Sequence, residues 1–179
     1  MAQQGTFVYS NPLVIHWGAG CVTARLDQEL ERLGARRIFL VPTRGVAAHP
    51  ALAGALSVQL GDRLVGMYAA IGQHAPAGSV AEAARPDTLL SFGGSPIDAA
   101  KAVAFVLATG LHITAPARRP ARRAPPHLAI PTTLSVSELS SSAGCSIEGN
   151  REAVGLRTPP PARGPRCLSQ SASAWSRPR

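Results

Sequence analysis

Apolar runs of strand length alternate with stretches of helical period from residue 12 to about residue 130. Residues 13–17 form a short apolar run that predicts a strand. After Gly18-Ala19-Gly20, the residues Val22, Leu26, Leu30 and Leu33 recur on one face of a helix that stops at Gly34. The same reading predicts a buried strand over 37–41 that ends at Pro42, then an Ala- and Leu-rich helix over 46–59. A third strand over 63–69, a short helix over 79–84, a fourth strand over 88–92, a helix over 96–108 and a fifth strand over 128–130 complete the pattern. Strands that alternate with helices need crossover connections, so the expected fold is α/β, a mostly parallel sheet with helices on both faces. In such sheets ligands bind beyond the carboxyl ends of the strands, which directs attention to the turns after Trp17, Val41, Phe92 and Ile130.

The turn after the fourth strand reads Phe92-Gly93-Gly94-Ser95-Pro96-Ile97-Asp98-Ala99-Ala100-Lys101. Ser95 is a good N-cap, and Pro96 suits the first helical position because its missing N–H would have had no helical partner. A helix begun this way presents free backbone N–H groups and a positive dipole end, and glycines without Cβ let a diphosphate come close. An ordinary strand-to-helix turn uses the same chemistry, so the local pattern leaves both readings open. After the fifth strand, Pro131-Thr132-Thr133-Leu134-Ser135-Val136-Ser137-Glu138 places four hydroxyls where they could bond a ribose, a phosphate or an amide, or simply cap the next segment. Gly18-Ala19-Gly20 starts like a dinucleotide fingerprint, but Thr23 replaces its last glycine and the signal is weak.

Composition narrows the partners. The net charge of +8 is concentrated in residues 115–127, with four Arg, and residues 151–179, with six Arg against Glu152, so the rest of the chain is nearly neutral. These segments contain no interleaved aromatic platform apart from Trp175, which argues against a nucleic-acid interface. Cys21, Cys145 and Cys167 are odd in number and widely spaced, which supports neither a disulfide framework nor a CxxC motif and suits a reducing cytoplasm. No signal-peptide pattern opens the chain, and its longest apolar run is far short of the roughly 20 residues that cross a bilayer. His16, His49, His74, His112 and His127 show no metal-ligand spacing, and no G-x-S-x-G, H-E-x-x-H or Walker pattern is present. From Arg151 the chain turns rich in Pro, Arg and Ser without sustained periodicity, which predicts a disordered basic tail.

The segment 92–101 followed by Ala129-Ile130-Pro131-Thr132-Thr133 resembles the iron-containing alcohol dehydrogenase family, whose usual pattern is G-G-G-S-x-x-D-x-x-K and then P-T-T-x-x-[TG]-S-E. Gln73-His74-Ala75-Pro76 makes the maleylacetate reductase branch look nearest. The resemblance implies a Rossmann-like amino-terminal domain of the dehydroquinate synthase-like fold over residues 1–157, with 158–179 as the tail. It implies NAD or NADP as cofactor and hydride transfer to or from a small alcohol, aldehyde or keto acid. Carried over by position, Gly93, Gly94 and Ser95 would meet the diphosphate, Asp98 would lie near the cofactor, and Thr132, Thr133 and Ser135 would face the ribose and nicotinamide. Phe92 replaces the first glycine, and Val136 stands where Gly or Thr is usual. Thr43 stands where many members have the Asp that binds the adenosine ribose, and with Arg44 beside it NAD and NADP both stay open. Full-length relatives add a helical half that holds iron or zinc, or a catalytic His without metal. The change of character after Arg157 resembles a shifted reading frame, so a catalytically incomplete chain is expected, with apolar surface open to self-association as a homo-oligomer. A non-catalytic nucleotide-binding or subunit-interaction module is the rival reading, and a basic RNA-associated protein a third.

Overall fold

The computed structural model describes residues 5–8, 14–69, 81–82, 84–110, 123–133, 137–139, 142–147, 150–155 and 166–169. Strands β1 (Gly5–Val8) and β2 (Val14–Trp17) precede α1 (Cys21–Leu33) and β3 (Ile38–Pro42). Helices α2 (Arg44–Ala48) and α3 (Pro50–Leu60) lead to β4 (Leu64–Met67), and β5 (Thr88–Phe92) is followed by α4 (Ser95–Thr109). Then come β6 (His127–Ile130), a hairpin of β7 (Ser142–Ile147) with β8 (Asn150–Gly155), and β9 (Arg166–Ser169). The main sheet has the order β1-β2-β9-β6-β5-β3-β4, parallel except for the pairing of β1 with β2. The expected α/β architecture is thus present.

Two cores follow from the alternation of side chains along each strand. Ile38 and Leu40 of β3, Leu90 and Phe92 of β5, and Leu128 and Ile130 of β6 join Val22, Leu26 and Leu30 of α1 and Leu56 and Leu60 of α3 on one face. Phe39 and Val41, with Leu89 of β5, meet Ala99, Ala100, Val103 and Ala104 of α4 on the other. The central strands are buried on both faces, which is why they read as continuous apolar runs. At their amino ends Asp87 ties β3 to β5, its carboxylate accepting from the backbone N–H groups of Arg36 (2.9 Å) and Arg37 (3.1 Å).

Away from the candidate site, the structure departs from the sequence reading in three places. The helix expected over 46–59 is two helices, because Pro50 cannot donate a backbone hydrogen bond and holds His49 extended (φ −89°, ψ 106°). Strands β1, β7 and β8 were not expected, since none carries a sustained apolar alternation. Within the segment expected to be a disordered tail, Arg166–Ser169 form β9, parallel to both β2 and β6. Two unsatisfied strand edges facing each other hydrogen-bond a strand whatever its side chains, and so override the weak local signal.

Candidate functional site

The parallel register places the carboxyl ends of three strands side by side, with Pro42 opposite Phe92 and Phe92 opposite Ile130. The ladder continues past the strands: Thr43 N–H donates to Phe92 O (3.0 Å) and Gly93 N–H to Ile130 O (2.9 Å). Residues 43, 93–95 and 131–133, far apart in sequence, therefore form one rim.

The two glycines of this rim are required by space as well as by backbone shape. Gly93 has φ +133°, a region that side-chain-bearing residues avoid, and a Cβ there would run into Thr43 Cγ2 and stand 2.9 Å from Pro96 Cγ. A Cβ on Gly94 would collide with Thr133 Oγ1. Thr43, Gly93, Gly94 and Thr133, all singled out from the sequence, are thus packed against one another.

Helix α4 opens directly on this rim. The sequence pattern puts the N-cap at Ser95 and the first helical position at Pro96, but the structure shifts both by one, with Gly94 as N-cap (φ −82°, ψ −69°) and Ser95, exposed, as the first helical residue. The helix thus extends one residue further back toward β5, from an N-cap that has no side chain to offer a capping bond. Ile97 N–H turns back to Gly94 O (3.1 Å) and Pro96 has no N–H. Among the described residues the Gly94 and Ser95 amides have no backbone partner, and they lie at the positive end of the helix dipole, a place that favours negative charge.

The other expected residues fall as follows. Asp98 lies in the first turn of α4, where its Oδ1 accepts from Lys101 Nζ (3.1 Å). Thr132 and Thr133 are exposed on the turn after β6, and Ser135 lies outside the described residues. Thr43 is the N-cap of α2, its Oγ1 accepting from Val46 N–H (3.1 Å), with Arg44 exposed beside it. In the turn between β2 and α1, Gly18 (φ +113°) and Gly20 (φ +76°) both adopt positive φ, so backbone conformation accounts for that glycine pair.

The contacts among the buried polar groups beneath α4 were not visible in the sequence. Lys101, only 6% exposed, also donates to the backbone carbonyl of Ser137 (2.5 Å), in a 3-10 turn over Ser137–Leu139. Burial lowers the Lys101 pKa against the opposing pull of the Asp98 and Glu138 carboxylates. Glu138 Oε2 is itself buried without a hydrogen-bond partner among the described residues. His127 Nε2 and Ser91 Oγ are 2.7 Å apart, and His127 Nδ1 has no partner among the described residues. Burial, reinforced by the Lys101 charge, pushes the imidazole pKa down to about 3. No periodicity announces contacts between residues 36 positions apart, although a lone Lys in a chain of arginines was a usable signal.

The family described as iron-containing alcohol dehydrogenase matches residues 12–163. No curated protein matches the chain. Among solved structures, maleylacetate reductase from Rhizobium sp. strain MTP-10005 is 25% identical, with a TM-score of 0.67 over 96% of this chain and 44% of that one. Maleylacetate reductase from Agrobacterium tumefaciens is 24% identical, with a TM-score of 0.66 over 96% and 44%. Sulfoacetaldehyde reductase from Bifidobacterium kashiwanohense, solved in complex with NAD+, is 16% identical, with a TM-score of 0.76 over 95% and 47%. The chain therefore spans less than half the length of these solved structures.

Proposed function

The chain belongs to the iron-containing alcohol dehydrogenase family, and on that premise we propose that it binds a nicotinamide dinucleotide across the turns after β3, β5 and β6. The reaction served is hydride transfer to or from a small alcohol, aldehyde or keto acid, and the described residues take the cofactor-binding part of it. The observation that carries this reading is the cradle of Gly93 and Gly94 between Thr43 and Thr133, where a Cβ would collide and where, among the described residues, the first amides of α4 have no backbone partner. Gly93, Gly94 and Ser95 would hold the diphosphate, with Asp98 nearby and Thr132 and Thr133 toward the ribose and nicotinamide. When bound, the nicotinamide ring gives or takes the hydride. The chain's own groups orient it and hold its charge.

The NAD+ complex of the sulfoacetaldehyde reductase supports the choice of cofactor class, and the two maleylacetate reductases favour a keto acid substrate. At the ribose end Thr43 supplies no carboxylate to repel a 2′-phosphate, so NADP is as acceptable as NAD. The described residues do not fit iron. Among them no three His, Cys, Asp or Glu side chains converge, and His16 and His127 each have a partner, Glu29 (3.0 Å) and Ser91 (2.7 Å).

Fluorescence titration with NADH and NADPH tests the reading. Saturable binding that Gly94→Asp weakens is the expected result, because the new carboxylate would crowd Thr133 and oppose the diphosphate. A flat titration with both cofactors would refute it.

A further inference from the structure

The Lys101 ammonium is a costly way to fill the space under α4. A buried cation loses hydration, and an apolar side chain of similar volume often stabilises a protein as well or better. What the ammonium adds is direction, through three donors on one atom. It spends one on Asp98 Oδ1 (3.1 Å), in the first turn of α4, and another on Ser137 O (2.5 Å), in the 3-10 turn Ser137–Leu139. The first belongs to one wall of the proposed dinucleotide site, and the second follows Thr133 of the other wall by four residues. The α4 wall starts at Gly94, and the other wall includes Thr133, whose Oγ1 occupies the space beside Gly94. Glu138, next to Ser137, adds a carboxylate whose charge reaches Lys101.

We propose that Lys101 is a positioning residue for the cofactor, cross-tying the first turn of α4 to the segment after β6 so that the walls at Gly94 and Thr133 keep their spacing. The inference rests on the dinucleotide reading above and adds to it a residue that lies beneath the site rather than in it. Without the tie, the turn at Ser137–Leu139 is held to α4 less firmly, and the Thr133 wall moves with it. The cofactor must then pay to restore a spacing that Lys101 otherwise holds in advance.

The test uses Lys101→Met and the double variant Lys101→Met/Asp98→Asn, the second so that no carboxylate is left without its counter-charge. Three quantities are read: dissociation constants for NADH and NADPH, the thermal midpoint, and cofactor-free amide hydrogen exchange at residues 132–133 and 137–139. Losing charge-assisted bonds should weaken cofactor binding about tenfold. Exchange at 137–139 should speed up while α1 and β3 stay protected, and the double variant should remain folded. A folded variant with unchanged dissociation constants, or with unchanged exchange at 137–139, overturns the proposal, as does failure of both variants to fold, which would make Lys101 a stability residue only. If the unsubstituted chain binds neither cofactor, the dinucleotide reading fails first, which is a different result from unaltered binding in the variants.

Discussion

His127 makes stability depend on acid in a way that can be worked through. In the folded chain the imidazole is 7% exposed, bonded through Nε2 to Ser91 Oγ, and its pKa is lowered to about 3 from an ordinary 6.5, first by burial and then by the Lys101 charge. The unfolded chain takes up a proton at His127 as the pH falls through 6.5, and the folded chain does not until about pH 3. Unfolding is therefore favoured by acid across that window, at about 1.4 kcal/mol per pH unit once the unfolded histidine is fully charged. Between pH 7 and pH 5 this comes to about 2 kcal/mol, a large part of the roughly 5–15 kcal/mol that holds an ordinary domain folded. Other groups titrate over the same range, so the informative quantity is a difference between chains. Urea denaturation at pH 7 and pH 5 should show the unsubstituted chain losing about 2 kcal/mol more than His127→Gln or Ser91→Ala/His127→Leu. Equal losses in all three chains would show that His127 is protonated alike in the folded and unfolded states, and would refute the argument.

Gly93→Ala should lower stability by about 1–3 kcal/mol in thermal unfolding, since Gly93 has φ +133° and its Cβ would meet Thr43. Asp87→Ala leaves the Arg36 and Arg37 amides without their carboxylate and should cost about 1–3 kcal/mol by urea denaturation, with no effect on cofactor affinity because Asp87 lies at the opposite ends of the strands. Leu26→Ala, at a fully buried position of α1, should cost about 2–5 kcal/mol in the same assay, and a cost under 1 kcal/mol would contradict the packing of α1 on the sheet.

The parts of the fold legible in the sequence are those in which burial and periodicity agree. Val22, Leu26 and Leu30 mark the inner face of α1, and the runs at 38–41 and 88–92 are apolar because both faces of those strands are covered. Strand β9 was not legible, because it exists by virtue of β2 and β6 on either side of it rather than through a preference of Arg-Cys-Leu-Ser. The break at His49 was written in Pro50, and the apolar composition of the stretch masked it. At the site, Gly93 and Gly94 were legible as a close-approach turn, while the identity of what occupies the missing Cβ space, Thr43 and Thr133, depends on strand order. The Lys101 to Ser137 link depends on the path taken by the segment after β6, which no local pattern encodes.

The central claim is that the cofactor's diphosphate lies on the Gly93-Gly94-Ser95 turn, and backbone amide NMR during a cofactor titration tests it most directly. With NADH or NADPH added, the amide resonances of Gly93, Gly94 and Ser95 should shift first and saturably, with those of Thr43 and Thr133 following, and β4 should stay unperturbed. Saturable shifts confined to other parts of the sheet, with Gly93, Gly94 and Ser95 unmoved at full occupancy, would contradict the account.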